Sequence, residues 1–511
     1  MAESNGCAKS DASNSSLDDI VERRVIFSCF GINRYFVLVL GLLFNSFLMS
    51  CLIAWNSAYS SMLDRETSPL YNGSLDENID WASPDLPLAD RRFVFHFTEK
   101  SLSFAGGFAG STLGTIPFNM LMLKFGPHKV LTAIGIISTI AVALHPIVLC
   151  WSFPLFVILR IITGFSIAIP FPVAGYIVNE WAPVKEKGLF VATLSGYVEL
   201  SALITMPLGA WLANAVSWPS VFYIHAIICG IFTILWAVYF RDKASNHPFV
   251  GANEWKRISV GKPPKVEAIR PPISKIFRSK VIWSIWCAVI GNYLVAQFLV
   301  SYSPIFFTYA LGYSTVAGGG LTALPLICQL VVKTFTGIAS DRLTCLPELG
   351  KLRLFSSVAL LGSGVLFIVL AVVCPVGNAV DVLFIILPVA LIGFTSGGYP
   401  KCVVLVSRQY TPFVMSVVQI VAGISLLAGS FMVPAYTPDH TDFHSWRKVF
   451  LTYAIVLTIT NTIFVIFARS EPAKWTLGSD KVRPSDQSDL VVDEDPICSA
   501  PSKTEIPSND A

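Results

Sequence analysis

Four ionisable side chains lie inside long apolar stretches of the sequence: Arg160, Glu199, Lys333 and Lys401. Inserting such a charge into a bilayer costs about 2.5–3.5 kcal/mol, so each of the four requires an explanation. A guanidinium or ammonium group that faces a water-filled cavity can bind a carboxylate or a phosphate. A buried carboxylate has a raised pKa and can carry a proton. These residue types predict a site that binds an anion and moves charge.

The arginine and the glutamate each leave two explanations open. Arg160 either faces a cavity and binds an anion, or it lies near the outer end of its helix and snorkels or pairs with an acid. Glu199 lies one helical turn after Ser195 in the middle of an apolar stretch. We expect it to carry a coupling proton or to pair with Arg160. The alternative is that Glu199 is a structural partner for a neighbouring polar helix face.

The two lysines differ in their surroundings. Lys401 follows Gly397-Gly398-Tyr399-Pro400, a run that should break its helix near the membrane midplane and place a positive charge in a cavity. Its alternative is a lysine that snorkels toward the cytosol. For Lys333 we expect snorkelling. Tyr197 is the aromatic residue that we assign to the cavity wall, with simple packing as the alternative.

The composition requires a membrane environment for these residues. The chain has 511 residues, of which 54% are hydrophobic and 14% are charged, whereas soluble proteins carry about 25% charged residues. Twelve stretches are long and apolar enough for spanning helices, and we predict an all-α integral membrane protein. The predicted spans are 35–58, 102–123, 130–150, 153–178, 189–213, 219–240, 281–303, 315–339, 353–374, 382–406, 412–435 and 448–468.

Charge asymmetry predicts the orientation of the helices. The segment 241–280 holds ten Lys or Arg residues against three acids, and the positive-inside rule then places it and both termini in the cytosol. The loop 61–100 should face the lumen or the exterior, where Asn72 lies in a glycosylation sequence. The predicted organisation is a cytosolic tail 1–34, a six-helix bundle 35–240, a basic cytosolic linker 241–280, a second six-helix bundle 281–470 and a disordered tail 471–511.

Two stretches about 227 residues apart repeat one another. Gly196 and Gly423 are each followed after eleven residues by a proline, and then after eleven or twelve by Trp218 or Trp446. Duplicated membrane halves are typical of secondary transporters, in which the substrate site lies between the halves. The sequence shows no nucleotide-binding loop, zinc-ligand spacing or hydrolase motif, so we expect no enzyme, no metal, no cofactor and no nucleic-acid partner.

A second repeat lies at the ends of the second and eighth predicted helices. Gly337-Ile-Ala-Ser-Asp341-Arg342 resembles the Gly-x-x-x-Asp-Arg loop of the major facilitator superfamily, and the equivalent place at the end of the second helix carries Lys124. The resemblance implies that Asp341, Arg342 and Lys124 form a cytosolic latch between two bundles. The first copy lacks the Gly and Asp of the pattern.

The fourth predicted helix resembles that of the anion:cation symporter family, which includes sialin, the vesicular glutamate transporters and the sodium-phosphate cotransporters. The resemblance extends from Arg34 to Trp475. It implies a twelve-helix major facilitator fold that carries small organic anions or phosphate, with Arg160 in contact with the anion. The matching residues of this helix are Arg160, Gly164, Pro172, Trp181, Pro183 and Glu186, with Lys187 in place of a final arginine.

The sequence departs from the family at several charged positions. The arginine of the family's first helix is replaced by Ala54, and the helix 4 glutamate of the glutamate transporters is replaced by Ile167. The helix 7 arginine of those transporters aligns with Asn292, which we therefore assign to the substrate site. Glutamate is accordingly a poor candidate substrate, and coupling through the family's usual residues is in doubt.

Together these observations predict a secondary active transporter of a small anionic solute in the lipid bilayer. We expect alternating access coupled to a cation gradient (H⁺ or Na⁺) or to the membrane potential. The alternatives are an uncoupled anion uniporter or conductance, a non-transporting sensor on a transporter fold, and a carrier of a neutral or cationic solute.

Overall fold

In the part of the chain that the structure describes, twelve long helices follow one another, as the apolar stretches predicted. The computed structural model describes residues 32–63, 80–81, 83–183, 186–260, 271–343, 345–373 and 379–476. In this part of the chain, eleven helices are long and apolar enough to span a membrane. The twelfth is Phe97–Phe125, whose many glycine, serine and threonine residues lower its hydropathy. The all-α prediction is confirmed.

The helices extend a few residues beyond the predicted spans at most ends. We label them α1 to α12, and α4, α5, α7, α9 and α10 each include an interruption or a change of helix type. Their bounds are α1 Asn33–Met62, α2 Phe97–Phe125, α3 Pro127–Trp151, α4 Phe153–Trp181, α5 Lys187–Ser195 with Tyr197–Ala215, α6 Trp218–Tyr239, α7 Lys280–Ala310, α8 Thr315–Arg342, α9 Glu348–Val373, α10 Ala379–Ser407, α11 Thr411–Tyr436 and α12 Phe443–Phe467.

Three helices are broken where the backbone cannot continue a regular ladder. Helix α4 passes through a 3-10 turn and restarts at Pro170, whose missing N–H suits a first helical turn. Helix α5 is interrupted at Gly196. Helix α10 is interrupted at Gly398, with Pro400 in the first turn of the following segment, as its Gly-Gly-Tyr-Pro run predicted. The breaks in α4 and α5 were not predicted.

The contacts divide the helices into two bundles of six, α1–α6 and α7–α12. Two helix pairs make the most extensive contacts between the bundles, α2 with α11 and α5 with α8. Glycine permits the close approach at both. A Cβ atom at Gly423 of α11 would overlap Thr112 of α2, and one at Gly319 of α8 would lie 2.9 Å from the carbonyl oxygen of Met206 in α5. Both interfaces therefore consist of closely packed backbones.

The repeated tryptophans occupy equivalent places in the two bundles. Trp218 opens α6 and donates its indole N–H to the carbonyl oxygen of Arg91 at 3.1 Å. Trp446 lies in the first turn of α12 and donates to the carbonyl oxygen of His440 at 2.9 Å. Both side chains are buried. The sequence repeat therefore marks a buried tryptophan that bonds to a loop in each bundle: the loop between α1 and α2 in the first bundle, and the loop before α12 in the second.

The face of the molecule where α1 begins and α12 ends, here called the terminal face, carries a network of ion pairs. Glu186, between α4 and α5, lies 3.0 Å from the Nε atom of Arg34 and 3.1 Å from Arg257. It also accepts a hydrogen bond from the Tyr35 hydroxyl at 3.1 Å. Glu254, in the linker helix Ala252–Ser259, accepts from the Arg34 backbone N–H at 2.9 Å. The network attaches the linker helix Ala252–Ser259 to the first bundle.

This network also fixes the charge of Glu186. Partial desolvation acts to raise the pKa of Glu186, but hydrogen bonds from Arg34 and Tyr35 and the charge of Arg257 more than offset it, so the pKa lies below its usual value. The matched motif residues Arg34, Tyr35 and Glu186 thus have a structural role. The cytosolic placement of this face, and of both termini, stays a prediction.

Candidate functional site

Arg160 lies buried in the first bundle, in the half of α4 that is farther from the terminal face. Its Nε atom donates to the carbonyl oxygen of Ser103 in α2 at 2.9 Å, and its Nη1 atom donates to the carbonyl oxygen of Leu52 in α1 at 2.8 Å. Its guanidinium carbon lies 5.8 Å from the centre of the Trp55 ring. Within the described residues no carboxylate pairs with it. The positive charge is therefore held by dipoles and an aromatic face.

Glycine on α2 makes room for this guanidinium. A Cβ atom at Gly107 would lie 3.6 Å from the Arg160 Nη2 atom, and one at Gly106 would lie 3.0 Å from the Arg160 Cβ atom. A Cβ atom at Gly164, one turn further along α4, would overlap the carbonyl of Gly107. Gly164 therefore permits α2 and α4 to pack closely. This contact sets the distance between α2 and α4 and thereby the position of Arg160.

Two buried polar groups near Arg160 have a nitrogen without a hydrogen-bond partner within the described residues. They are the indole of Trp55 in α1 and the imidazole ring of His145 in α3. His145 and Arg160 are close enough to interact electrostatically. Unpartnered buried polar groups are uncommon and call for an occupant, such as water or a ligand group. The surroundings of Arg160 are thus equipped to bind a polar molecule.

Glu199 forms an ion pair that crosses between the two bundles. Its Oε1 atom lies 2.8 Å from the Nζ atom of Lys333 in α8. The side chain of Glu199 is 8% exposed and that of Lys333 is 31% exposed. The Glu199 Oε2 atom is buried without a partner. From the sequence we considered either Arg160 or a neighbouring polar helix face as the partner of Glu199. In the structure the Glu199 carboxylate pairs with Lys333 of α8, which corresponds to the polar helix face.

Lys333 is the member of this ion pair that we did not assign to a site from the sequence, because we expected it to snorkel. A signal was available. Glu199 and Lys333 are charges of opposite sign, and each lies two to three helical turns from the terminal face, roughly 14–18 Å along its helix. What the sequence did not supply was the pairing of α5 with α8.

A polar cluster surrounds the ion pair. Tyr197 of α5 is buried and lies within electrostatic range of Glu199 and of Tyr293 in α7. Asn292, the residue before Tyr293, donates its side-chain N–H to the hydroxyl of Tyr399 in α10 at 3.0 Å, and its own side-chain oxygen is unpartnered. Two of the residues assigned to the substrate site, Tyr197 and Asn292, therefore lie in one region between the bundles, beside Glu199.

Lys401 belongs to a different cluster. Its Nζ atom lies 3.1 Å from the Ser340 hydroxyl and 3.3 Å from a carboxylate oxygen of Glu348, at the start of α9. Glu348 also pairs with Lys351 at 2.7 Å. This geometry corresponds to the alternative considered from the sequence, a lysine that reaches toward the terminal face. Its assignment to the substrate site stays a prediction.

The residues predicted to form the latch lie at the ends of α2 and α8. Lys124 is exposed at the end of α2, with its Nζ atom 5.3 Å from the centre of the Phe125 ring. The side chains of Asp341 and Arg342 and the whole of Asn72 lie outside the described residues. The latch and the glycosylation site stay predictions. No group of three potential metal ligands occurs in the described part of the chain.

The bundles are also joined in the half that is farther from the terminal face. The Asn56 side chain in α1 donates to the carbonyl oxygen of Val300 at 3.0 Å and to the Ser301 hydroxyl at 3.1 Å. The hydroxyl of Tyr309 donates to the carbonyl oxygen of Ser60 at 3.1 Å. The α7 residues involved lie in two π-helical turns, Phe298–Tyr302 and Phe306–Ala310, a geometry often found at functional sites. Polar contacts between the bundles thus occur at more than one depth.

Comparison with solved structures gives the same architecture. The protein resembles the D-xylose–proton symporter structures, among them a partially occluded inward-open structure of the xylose transporter XylE from E. coli. That match has a TM-score of 0.61 and 16% sequence identity, and covers 86% of this chain and 98% of the other. At this level of identity the likeness concerns the fold.

Three relatives in sequence each share 24% identity with the chain. The probable small intestine urate exporter of Homo sapiens matches over 72% of this chain and 74% of its own length. Sialin of Homo sapiens matches over 72% and 75%, and the sodium-dependent phosphate transport protein 3 of Mus musculus over 72% and 77%. These proteins belong to the group whose motifs the sequence resembles, and that prediction is confirmed.

A sequence model described as Major Facilitator Superfamily matches residues 38–430, most of the membrane region. With the twelve helices, the two bundles and the relatives above, this match identifies a membrane transporter and not an enzyme. The chain belongs to the major facilitator superfamily.

Proposed function

We propose that this transporter carries small organic anions or phosphate by alternating access and couples their movement to a cation gradient or to the membrane potential. The observation that carries the proposal is the charge of Arg160. Its side chain is buried, and within the described residues it is met by backbone carbonyls and an indole ring. A buried charge without a counter-charge is costly, and a bound anion supplies one.

The polar atoms around Arg160 fit the same occupant. A carboxylate or phosphate carries several acceptor oxygens, which match the guanidinium N–H groups and the indole N–H of Trp55. Arg160 is 1% exposed, so an anion reaches it only after a conformational change. Binding in a site that opens to one side at a time is the essence of alternating access.

The Glu199–Lys333 pair is the proposed coupling element. While Glu199 is ionised, it binds Lys333 and holds α5 against α8. In this proposal, protonation of Glu199 removes the attraction and leaves the ammonium group of Lys333 free to attract the anion. Proton binding and anion binding then favour the same separation of the bundles, which is a coupling free energy between two sites.

The relatives support the substrate class. One is described as a urate exporter and one as a sodium-dependent phosphate transport protein, so organic and inorganic anions both occur among the names of these proteins. The basic 241–280 segment supports a cytosolic terminal face.

Transport by purified protein in liposomes tests the proposal. Uptake of labelled urate and labelled phosphate is measured under an imposed pH gradient, Na⁺ gradient or K⁺ diffusion potential. Competition by carboxylates, phosphate, urate and nucleotides then defines the substrate. We expect one of these anions to be accumulated, Arg160→Gln to abolish accumulation, and Arg278→Gln, an exposed arginine in the connection before α7, to leave it unchanged.

Three outcomes contradict the proposal in different ways. Accumulation of a neutral or cationic solute that no anion inhibits refutes the substrate class. A current that reverses at the equilibrium potential of the anion and ignores proton and sodium gradients refutes coupling but retains anion movement. Binding without any transport identifies a sensor.

A further inference from the structure

A cavity of about 520 Å³ opens at the terminal face of the second bundle. It lies between the beginning of α7, the beginning of α9 and the end of α12. Three basic residues line it, Lys280, Arg353 and Arg469, together with the apolar side chains of Ile466 and Phe467. One wall is therefore strongly positive and another is apolar. Neither Glu199 nor Lys333 lines this cavity, and no step of the proposed transport cycle uses it.

The positive charge of this cavity is not neutralised within it. No carboxylate is among the lining residues, and no ion pair within the described ranges joins Lys280, Arg353 or Arg469 to an acid. The Nε atom of Arg353 is buried and makes no hydrogen bond. A buried guanidinium N–H without an acceptor calls for an acceptor that binds there.

The beginning of α7 adds further donors. Lys280 is the first residue of this helix, and the side chain of the preceding Ser279 makes no capping hydrogen bond. The first N–H groups of a helix have no acceptor within it, and the helix dipole favours an anion at that end. Together with the three cations, these amides form a site for a group with several negative oxygens.

The position of the cavity indicates where that group comes from. Trp283, one turn into α7, is 54% exposed and donates its indole N–H to the carbonyl oxygen of Phe277 at 2.8 Å. Exposed tryptophans of this kind lie at the membrane–water boundary. Ile466 and Phe467 are 61% and 39% exposed. They lie at the end of a spanning helix, where lipid chains contact the protein. A free phosphate ion gains nothing from contact with this apolar wall, whereas the acyl chains of a lipid can pack against it.

We propose that this cavity binds the phosphate of an anionic phospholipid in the leaflet on the terminal face. The phosphate oxygens accept from Arg353, Arg469, Lys280 and the first amides of α7. The acyl chains lie along Ile466 and Phe467. A lipid held here joins α7, α9 and α12 at one end of the second bundle.

Native mass spectrometry of the delipidated full-length protein in detergent tests this proposal. The probes are dioleoylphosphatidylserine, dioleoylphosphatidylcholine and inorganic phosphate. A cation near an anionic lipid surface contributes about five-fold in affinity. We therefore expect Arg353→Gln and Arg469→Gln each to weaken phosphatidylserine binding about five-fold, and the double variant to weaken it about 25-fold. Lys275→Gln, a change of the same charge at an exposed residue of the same face that does not line the cavity, should have no effect.

Lys280→Gln tests whether misfolding explains a loss of lipid binding. Lys280 is exposed, so this substitution should not disturb packing. This variant should also bind phosphatidylserine about five-fold more weakly. The proposal is refuted if the arginine variants bind phosphatidylserine as the wild type does, or if phosphatidylcholine binds equally well. It is also refuted if millimolar inorganic phosphate displaces the lipid, which would show that the cavity is a site for free anions.

Discussion

Removing one partner of the Glu199–Lys333 pair should destabilise the protein, and the two removals should differ. At a separation of 2.8 Å and an effective dielectric constant of about 20, the attraction between the charges is about 6 kcal/mol. Desolvation offsets several kcal/mol of this, and contacting residues typically couple by about 0.5–3 kcal/mol. We expect Lys333→Met to lower the free energy of unfolding by about 2 kcal/mol, because it leaves the 8%-exposed Glu199 alone. Glu199→Gln should cost only about 1 kcal/mol, because the more exposed lysine keeps contact with water.

Reversible unfolding in mixed micelles of a mild detergent and dodecyl sulfate, followed by tryptophan fluorescence, measures these differences. The chain contains twelve tryptophans to report the transition. Wild type, the two single variants and the double variant form a complete cycle, and we expect a coupling free energy of about 1–3 kcal/mol. Lys401→Met is the matched control. It removes a lysine of similar exposure, 23%, whose partner Glu348 lies in the same bundle.

Transport separates a coupling role of the pair from a purely structural one. If Glu199 and Lys333 act between the bundles, their removal should change the pH dependence of transport. A coupling free energy below about 0.5 kcal/mol, together with unchanged transport and unchanged pH dependence in Glu199→Gln, would refute the reasoning.

Three further predictions concern packing, the repeat and the terminal face. Gly164→Val should prevent folding, because its Cβ atom would overlap the carbonyl of Gly107. The expected result is loss of the monodisperse peak in size-exclusion chromatography. Gly175→Val, where nothing lies within 4 Å of a Cβ atom, should fold. Trp446→Phe should lower the free energy of unfolding by about 1–3 kcal/mol, because it leaves a loop carbonyl unpaired; an unchanged value would refute its fastening role. The lowered pKa of Glu186 means that its contribution is present above the ordinary glutamate pKa and is lost as the pH falls through the lowered one. Glu186→Gln should therefore flatten the acid side of a melting-temperature profile.

Apolar length and turn chemistry were sufficient to predict the helices from the sequence. Every predicted span corresponds to a helix, including α2, whose composition is the least apolar. The break at Gly398 was predictable because glycine and proline stand together there. The break at Gly196 was not, because a single glycine is tolerated in many helices.

The partners of the charged residues could not be predicted from local sequence. Glu199 and Lys333 are 134 residues apart, and their contact exists only because α5 packs on α8. Lys401 illustrates the same difficulty, since the break before it is local information, whereas its contact with Glu348 depends on how α9 and α10 pack. Depth in the membrane can be inferred from position in a helix, but the direction of a side chain requires the fold.

The Glu199–Lys333 pair lies between the two bundles, where it can influence their relative movement in the proposed transport cycle. At α2–α11 and α5–α8 the backbones approach at Gly423 and Gly319, where small residues allow movement with little loss of packing. A preference for one arrangement then comes from the specific contacts between the bundles, which include the hydrogen bonds of Asn56 and Tyr309 and the Glu199–Lys333 pair. In the proposed mechanism, the ion pair is the contact that protonation removes. A change of protonation would then become a change of conformation, and Arg160, which has no carboxylate partner within the described residues, would give an anion a reason to follow the same change.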